Sequence, residues 1–231
     1  MKLSVRIDMH SLLRNHVSIA RVMLMSAPAR TRTIARDAVR AALSQTAFEL
    51  ARERGFDNVT VDEMAAAAGV SRSTLLRYFG TKEEAVLSAF DDHVMRFAEA
   101  LRARPADEDH WTALRRALEG VVPFYLQDPA AALSITRFIL GTPALHSRQA
   151  AKRHDWRPAL TAALAERAGL SGRLPVRLAV LVAAAVDCMD IAVAHWAASD
   201  GKDDLAQLLA EGFDALAALP PSVVDPEALQ A

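Results

Sequence analysis

The side chains with the most chemistry in this 231-residue chain crowd into one short stretch: Ser71, Arg72, Ser73, Thr74, Arg77, Tyr78 and Lys82. Hydroxyls, guanidiniums, a phenol and an ammonium in one short stretch suit hydrogen bonding to a polyanion more than bond breaking. A second group, Asp187, Asp190 and His195, lies inside the otherwise apolar run from Leu178 to Ala198. Charged groups there need a partner, water or a ligand. Catalysis has a weaker claim. His146, His154, Asp155 and Asp187 are acid–base types, but no spacing fixes them to one another. There is also no glycine-rich phosphate loop, nucleophile elbow or HExxH metal site. No catalytic residue, metal site or cofactor is therefore expected, and the chain reads as a non-enzyme. Cys188 is the only cysteine, which excludes an intrachain disulfide and suits a reducing, cytoplasmic compartment.

Charge separates the chain into two parts although the net charge is only −1. Residues 1–82 hold 13 Lys and Arg against 7 Asp and Glu, whereas the remainder holds 14 against 21. The first part is thus the one suited to meet a polyanion. Asp187 and Asp190 argue against a membrane span through Leu178–Ala198, because each mid-span aspartate costs roughly 2.5–3.5 kcal/mol on insertion scales. Arg14 and Arg21 bracket the first apolar patch, so no secretory signal is expected.

Helices must hold these groups in place. With 52% hydrophobic residues and only 9 Gly, an Ala- and Leu-rich chain favours helices around a large core, without strand. Val39, Leu43, Ala47 and Leu50 recur at helical spacing, so a first helix is expected from about Asp37 to Arg54, with Gly55 as its stop. Thr60 and Glu63 form a capping box, and Val59 with Met64 the matching staple, which starts a second helix near Val61 and ends it at Gly69. Ser71 caps a third helix through Phe79, and Thr81 with Glu84 opens a long fourth to about Arg104. Further on, Asp107 or Asp109 caps a helix to about Leu126, and Asp128-Pro129 starts another that ends near Gly141. Helices from about Ala144 to Ala168, kinked at Pro158, and from Pro175 to Ser199 follow. Asp203 opens a last one, which Pro220-Pro221 stops.

The two short helices joined through Gly69 match a helix-turn-helix, with small Ala65 at their crossing and Met64, Val70 and Leu75 inward. The run Thr60-Val61-Asp62-Glu63-Met64-Ala65-Ala66-Ala67-Ala68-Gly69-Val70-Ser71, followed by Thr74-Leu75-Leu76-Arg77-Tyr78-Phe79-Gly80-Thr81-Lys82-Glu83, resembles the signature of the TetR family of transcriptional regulators. The resemblance covers about Asp37 to Phe90; beyond it only helix number and length are similar. It implies an all-α protomer of about nine helices. Its domains would be a flexible basic extension (1–36), a three-helix DNA-binding domain (37–85), a helical ligand-binding and dimerisation domain (86–219) and a tail (220–231). The Ser71–Phe79 helix would then lie in the major groove of double-stranded DNA, anchored by Leu75. Arg72, Ser73, Thr74 and Arg77 would face base edges, while Thr60, Tyr78, Lys82 and the amides opening the helices would meet phosphates. Leu76 departs from the family, which commonly carries Tyr there, and offers only apolar contact. Arg30, Arg32 and Arg36 read either as an arm toward the DNA or as a basic tail. Family-like composition begins only after Met23 and Met25, so the native start reads either as Met1 or as one of these two methionines.

In the second domain, Trp111, Phe124, Tyr125, Phe138, Trp156, Met189 and Trp196 are large side chains spread over several helices, as for the walls of an apolar cavity or a core. Phe124, Tyr125, Phe138, Trp156, Asp187, Met189 and Asp190 are the ligand-binding candidates. For the two aspartates a structural salt bridge is the competing reading. The resemblance implies a homodimer through the last two helices and a palindromic operator. It also implies repression relieved by a small-molecule effector, transmitted through the fourth helix. The rival reading is a helical scaffold that uses the helix-turn-helix for protein contacts.

Overall fold

The computed structural model describes residues 27–218, with side chains for all of them except 27–30, 92 and 93, and over this span the chain is all-helical. The helices are α1 (Ala27–Arg54), α2 (Val61–Ala67), α3 (Arg72–Phe79), α4 (Lys82–Leu87), a 3₁₀ turn (Ser88–Phe90), α5 (Asp92–Arg102), α6 (His110–Glu119), α7 (Val122–Gln127), α8 (Pro129–Gly141), α9 (Pro143–Arg167), α10 (Val176–Ala198) and α11 (Leu205–Ala217). Joining α4 to α5 and α6 to α7 recovers the nine expected helices. No helix among the described residues is long and apolar enough to cross a membrane. The chain divides into two units at Met95 and Arg96, ten residues beyond the boundary that the sequence suggested.

In the first unit, α1 lays Leu43, Ala47, Phe48 and Ala51 against Met64 and Ala65 of α2 and against Val86 and Leu87 of α4; all are buried. Leu75 and Phe79 of α3 close the same core. Each large apolar side chain buried here contributes about 1.5–3 kcal/mol. Ser44 is fully buried and donates its hydroxyl to the Ala85 carbonyl at 2.6 Å, which satisfies a polar group that α1 turns inward toward α4. Helix α1 starts ten residues earlier than expected. Ile34 and Val39 are exposed, so this stretch shows no apolar period, yet Ala and Arg sustain a helix by intrinsic preference and Pro28 sits in its first turn. Val39 therefore belongs to the surface, not to the inward stripe read from the sequence. The candidate start sites Met23 and Met25 and the tail 220–231 lie outside the described residues.

The fourth expected helix is interrupted by the 3₁₀ turn at Ser88–Phe90. No glycine or proline marks this break; Ser88 instead donates to Glu84 Oε1 at 3.1 Å, and the Asp91 amide to the Ser88 carbonyl at 3.3 Å. The helix opened by Asp109 stops at Gly120 and resumes as α7, whose second residue, Pro123, lacks an amide to continue the ladder.

In the second unit, α10 is central. Leu178, Val182, Ala185, Met189, Ala192, Val193 and Trp196 are buried on it, against α9, α11, α6 and α8. Leu205, Leu209 and Phe213 form the buried stripe of α11, narrower than the sequence pattern suggested because Leu216 is exposed and Leu208 only half-buried. Trp111 stacks on Phe213 at 4.4 Å and donates its indole N–H to the Phe213 carbonyl at 3.3 Å.

Candidate functional site

The recognition segment is built from its caps upward. Thr60 accepts a hydrogen bond from the Glu63 amide at 3.2 Å, and Glu63 Oε2 accepts one from the Thr60 amide at 2.8 Å, so α2 starts with both exchanges of a capping box. Hydrogen bonds from the Thr60 amide and hydroxyl hold the Glu63 carboxyl below its ordinary range. Gly69 turns the chain at φ +69°, where an L side chain would be strained. Ser71 then caps α3, accepting from the Thr74 amide at 3.2 Å and meeting the Ser73 and Thr74 hydroxyls at 3.0 Å. With Leu75 and Phe79 locked into the core, α3 turns Ser71, Arg72, Ser73 and Arg77 to solvent, and Thr74, Leu76 and Tyr78 stand half-buried at its margins. Arg72 Nη1 donates to Asp62 Oδ2 at 2.6 Å, whereas Arg77 has no ion pair among the described residues.

Two basic groups lie behind this surface. Lys82 donates to the Phe56 carbonyl and sits 4.0 Å from the Phe56 ring centre, so its ammonium is engaged within the fold. Arg40 of α1 donates to the Tyr78 carbonyl and lies 4.7 Å from the Phe79 ring centre, and its other amino group reaches Ser88 Oγ, Asp91 and Glu84.

In the second unit, Asp190 pairs with Arg153 at 2.9 Å and Asp187 with Arg157 at 3.1 Å, linking α10 to α9. Burial pushes the Asp190 carboxyl up to about 6, against the pull of Arg153. Tyr125 meets Trp196 edge-on at 5.9 Å, and burial also raises its hydroxyl. Gln149 Oε1 and Arg157 Nε are buried without a hydrogen-bond partner among the described residues. A groove of about 550 Å³ runs between α10 and α11, lined by Ala184, Asp187, Ile191, His195, Leu208 and Leu216 among others. Burial raises the thiol of Cys188, so its reactive thiolate form is disfavoured.

The profile described as "Bacterial regulatory proteins, tetR family" matches residues 43–89, which span the helix-turn-helix just described, and the profile "MftR C-terminal domain" matches residues 108–220. The chain belongs to the TetR family. Among curated relatives, this TetR-family chain is 31% identical over 127 residues to MftR of Mycobacterium tuberculosis, whose name refers to mycofactocin biosynthesis. It is 33% identical over 128 residues to the HTH-type transcriptional regulator EthR of Mycolicibacterium smegmatis. The matches span 55% and 54% of this chain, but only 64% and 58% of those relatives. A solved TetR-family regulator from Streptomyces coelicolor shares the fold at a TM-score of 0.50 and 22% identity, over 83% of this chain and 85% of its own. Another from Rhodococcus sp. RHA1 gives 0.50 and 19%, over 78% and 94%.

Against this TetR frame, the structure gathers Ser71, Arg72, Ser73, Thr74, Arg77 and Tyr78 on one helix, with Thr60 at the start of the helix before it. Lys82 stands apart because Phe56 occupies it. Arg32 and Arg36 are exposed on α1, helical and not in an extended arm. In the second unit Tyr125 and Asp190 share a polar cluster with Arg153. Met189 is buried, Trp156 and Phe138 are half-buried, and Phe124 is surface-exposed beneath the Arg96 guanidinium at 4.5 Å. Both aspartates have arginine partners, as the salt-bridge reading expected. Arg40, Asp62, Gln149 and Arg153 were not singled out in the sequence. The only local signal was that Arg153 and Arg157 are four residues apart and Asp187 and Asp190 three, each about one helical turn.

Proposed function

We propose that this TetR-family chain is a sequence-specific DNA-binding transcriptional regulator, a cytoplasmic homodimer that represses from a palindromic operator and releases it on binding a small-molecule effector. The observation that carries this reading is the two-faced recognition helix: Leu75 and Phe79 fix α3 in the core while Arg72, Ser73 and Arg77 stand outward. Such a helix fits the major groove. Either arginine can bond a guanine through its O6 and N7, each good pair being worth about 1–3 kcal/mol of discrimination, and Thr74 can meet a thymine methyl. Thr60, Ser71 and Tyr78 serve as phosphate contacts, which orient without selecting sequence. Lys82 adds positive potential from behind.

The effector reading rests on the second unit. Unsatisfied buried polar atoms such as Gln149 Oε1 each cost about 1–3 kcal/mol, a cost that a ligand with a complementary hydrogen-bonding group offsets. Tyr125 and Asp190 supply polar groups, and Phe138, Trp156 and Met189 apolar walls. Asp187 and Phe124 contribute least, because the first lines the α10–α11 groove and the second faces solvent. The apolar groove and the exposed Val180 and Ile191 suit pairing with a second copy, which would set two recognition helices roughly 34–36 Å apart. Effector and DNA then oppose one another by the same factor in both directions.

Selection of bound duplexes from a random pool tests the reading. A palindromic consensus with half-sites about one turn apart is expected; a pool that stays random contradicts it and favours the protein-contact scaffold.

A further inference from the structure

Four acceptors, from α3, α4, the 3₁₀ turn and the residue that follows that turn, converge on one side chain. Arg40 bonds the Tyr78 carbonyl in the last turn of α3 with one amino group, and with the other Ser88 Oγ at 2.6 Å, Asp91 Oδ2 at 3.2 Å and Glu84 Oε1 at 3.4 Å. Its guanidinium also covers the Phe79 ring. Glu84 belongs to α4, Ser88 to the 3₁₀ turn, and Asp91 immediately precedes α5, the helix in which the first unit gives way to the second. Arg40 is thus the group that bonds the end of the recognition helix and the interrupted connector at once. Only a planar fork with several donors in fixed directions can do this; an ammonium is a single point charge on a flexible stem.

We infer that Arg40 is a positioning residue for DNA recognition, holding the C-terminal end of α3 in register with the 3₁₀ turn so that a change in the connector is felt at the recognition helix. This rests on the DNA-binding reading above. Arg40 touches no base in this role. Its effect is on the angle at which Arg72 and Arg77 present themselves, so its loss lowers selectivity rather than general affinity. The break at Ser88–Phe90, which no residue type in the sequence demands, is the point at which the connector changes path. Arg40 contacts both of the residues, Ser88 and Asp91, whose backbone bond closes it.

The test measures binding of the full chain to a duplex selected from a random pool and to a shuffled duplex of equal length, for wild type, Arg40→Lys, Asp91→Asn and the double variant. Arg40→Lys is expected to weaken the selected duplex by about tenfold or more, and to leave the shuffled duplex within about twofold because the charge is kept. Asp91→Asn, at a partly exposed position, should lower the same ratio by about threefold, and the double variant should lose less than the two effects multiplied together. Equal losses on both duplexes, or an Arg40→Lys variant that keeps wild-type discrimination, would overturn the positioning role. Multiplicative losses in the double variant would overturn the link to the connector. A wild-type chain that prefers no duplex overturns the DNA-binding reading itself, which separates the two failures.

Discussion

Arg72 of the recognition helix and Asp62 of α2 form an ion pair at 2.6 Å, with both side chains more than half exposed. The first helical residue of α3 is thereby tied to the first turn of α2. An exposed pair of this kind is worth about 0–1 kcal/mol, less than a bidentate guanine contact, so it orients the guanidinium and yields it readily.

Arg72→Ala and Arg77→Ala should each weaken the selected duplex by roughly 10- to 100-fold, corresponding to about 1–3 kcal/mol, while far-UV circular dichroism stays unchanged. Asp62→Asn should shift the unfolding free energy by no more than about 1 kcal/mol yet relax sequence preference. Fluorescence anisotropy on matched and single-mismatch duplexes checks both; wild-type discrimination in Arg72→Ala would remove that residue from the interface.

Ser71→Ala removes the side chain that accepts the Thr74 amide. A loss of about 1 kcal/mol in denaturant titrations is expected, with Ser71→Asp retaining most of the stability because a carboxylate caps equally well. If alanine and aspartate behave alike, the cap contributes nothing.

Burial raises the Asp190 carboxyl from 3.8 to about 6, Arg153 opposing and Asp187 adding repulsion, with Arg157 again lowering it. A raised folded value means that the native state binds this proton more tightly than the unfolded chain. Its stabilising contribution is therefore complete below about pH 4 and is lost as the pH climbs through about 6. Asp190→Asn should thus gain on wild type by something on the order of 3 kcal/mol between about pH 4 and 7. Urea unfolding of both proteins across that range measures the gap, and a gap independent of pH would show that Asp190 does not titrate there.

Ile191 is 59% exposed on α10 beside the groove shared with α11. Sedimentation is expected to show a wild-type dimer and a largely monomeric Ile191→Glu variant, since a charge desolvated in an apolar contact costs several kcal/mol. A dimer unaffected by this substitution would place the interface elsewhere.

What was legible in the sequence was local. Thr60, Ser71, Thr81, Asp109 and Asp128 cap helices through side chains that reach only three residues ahead, so spacing alone locates those starts. The inward side of α3 was legible at Leu75, which the sequence reading took as its anchor and which is buried; the burial of Phe79 one turn on was not singled out. The early start of α1 was not legible, since an exposed helix carries no apolar period. Nor were the partners of Arg40, which lie 38 to 51 residues away and are chosen by the packing of α1 on α4. The capture of Lys82 by Phe56 and the pairing of Asp187 and Asp190 with α9 depend likewise on how helices settle against one another, information that no single segment contains.

Dimethyl sulfate protection of guanine N7 on the selected duplex addresses the entry of α3 into the major groove most directly. Protection of guanines in both half-sites by wild type is expected, with Arg72→Ala or Arg77→Ala each releasing a distinct guanine while the rest of the footprint holds. Guanines left fully reactive beneath a bound wild-type protein would contradict it.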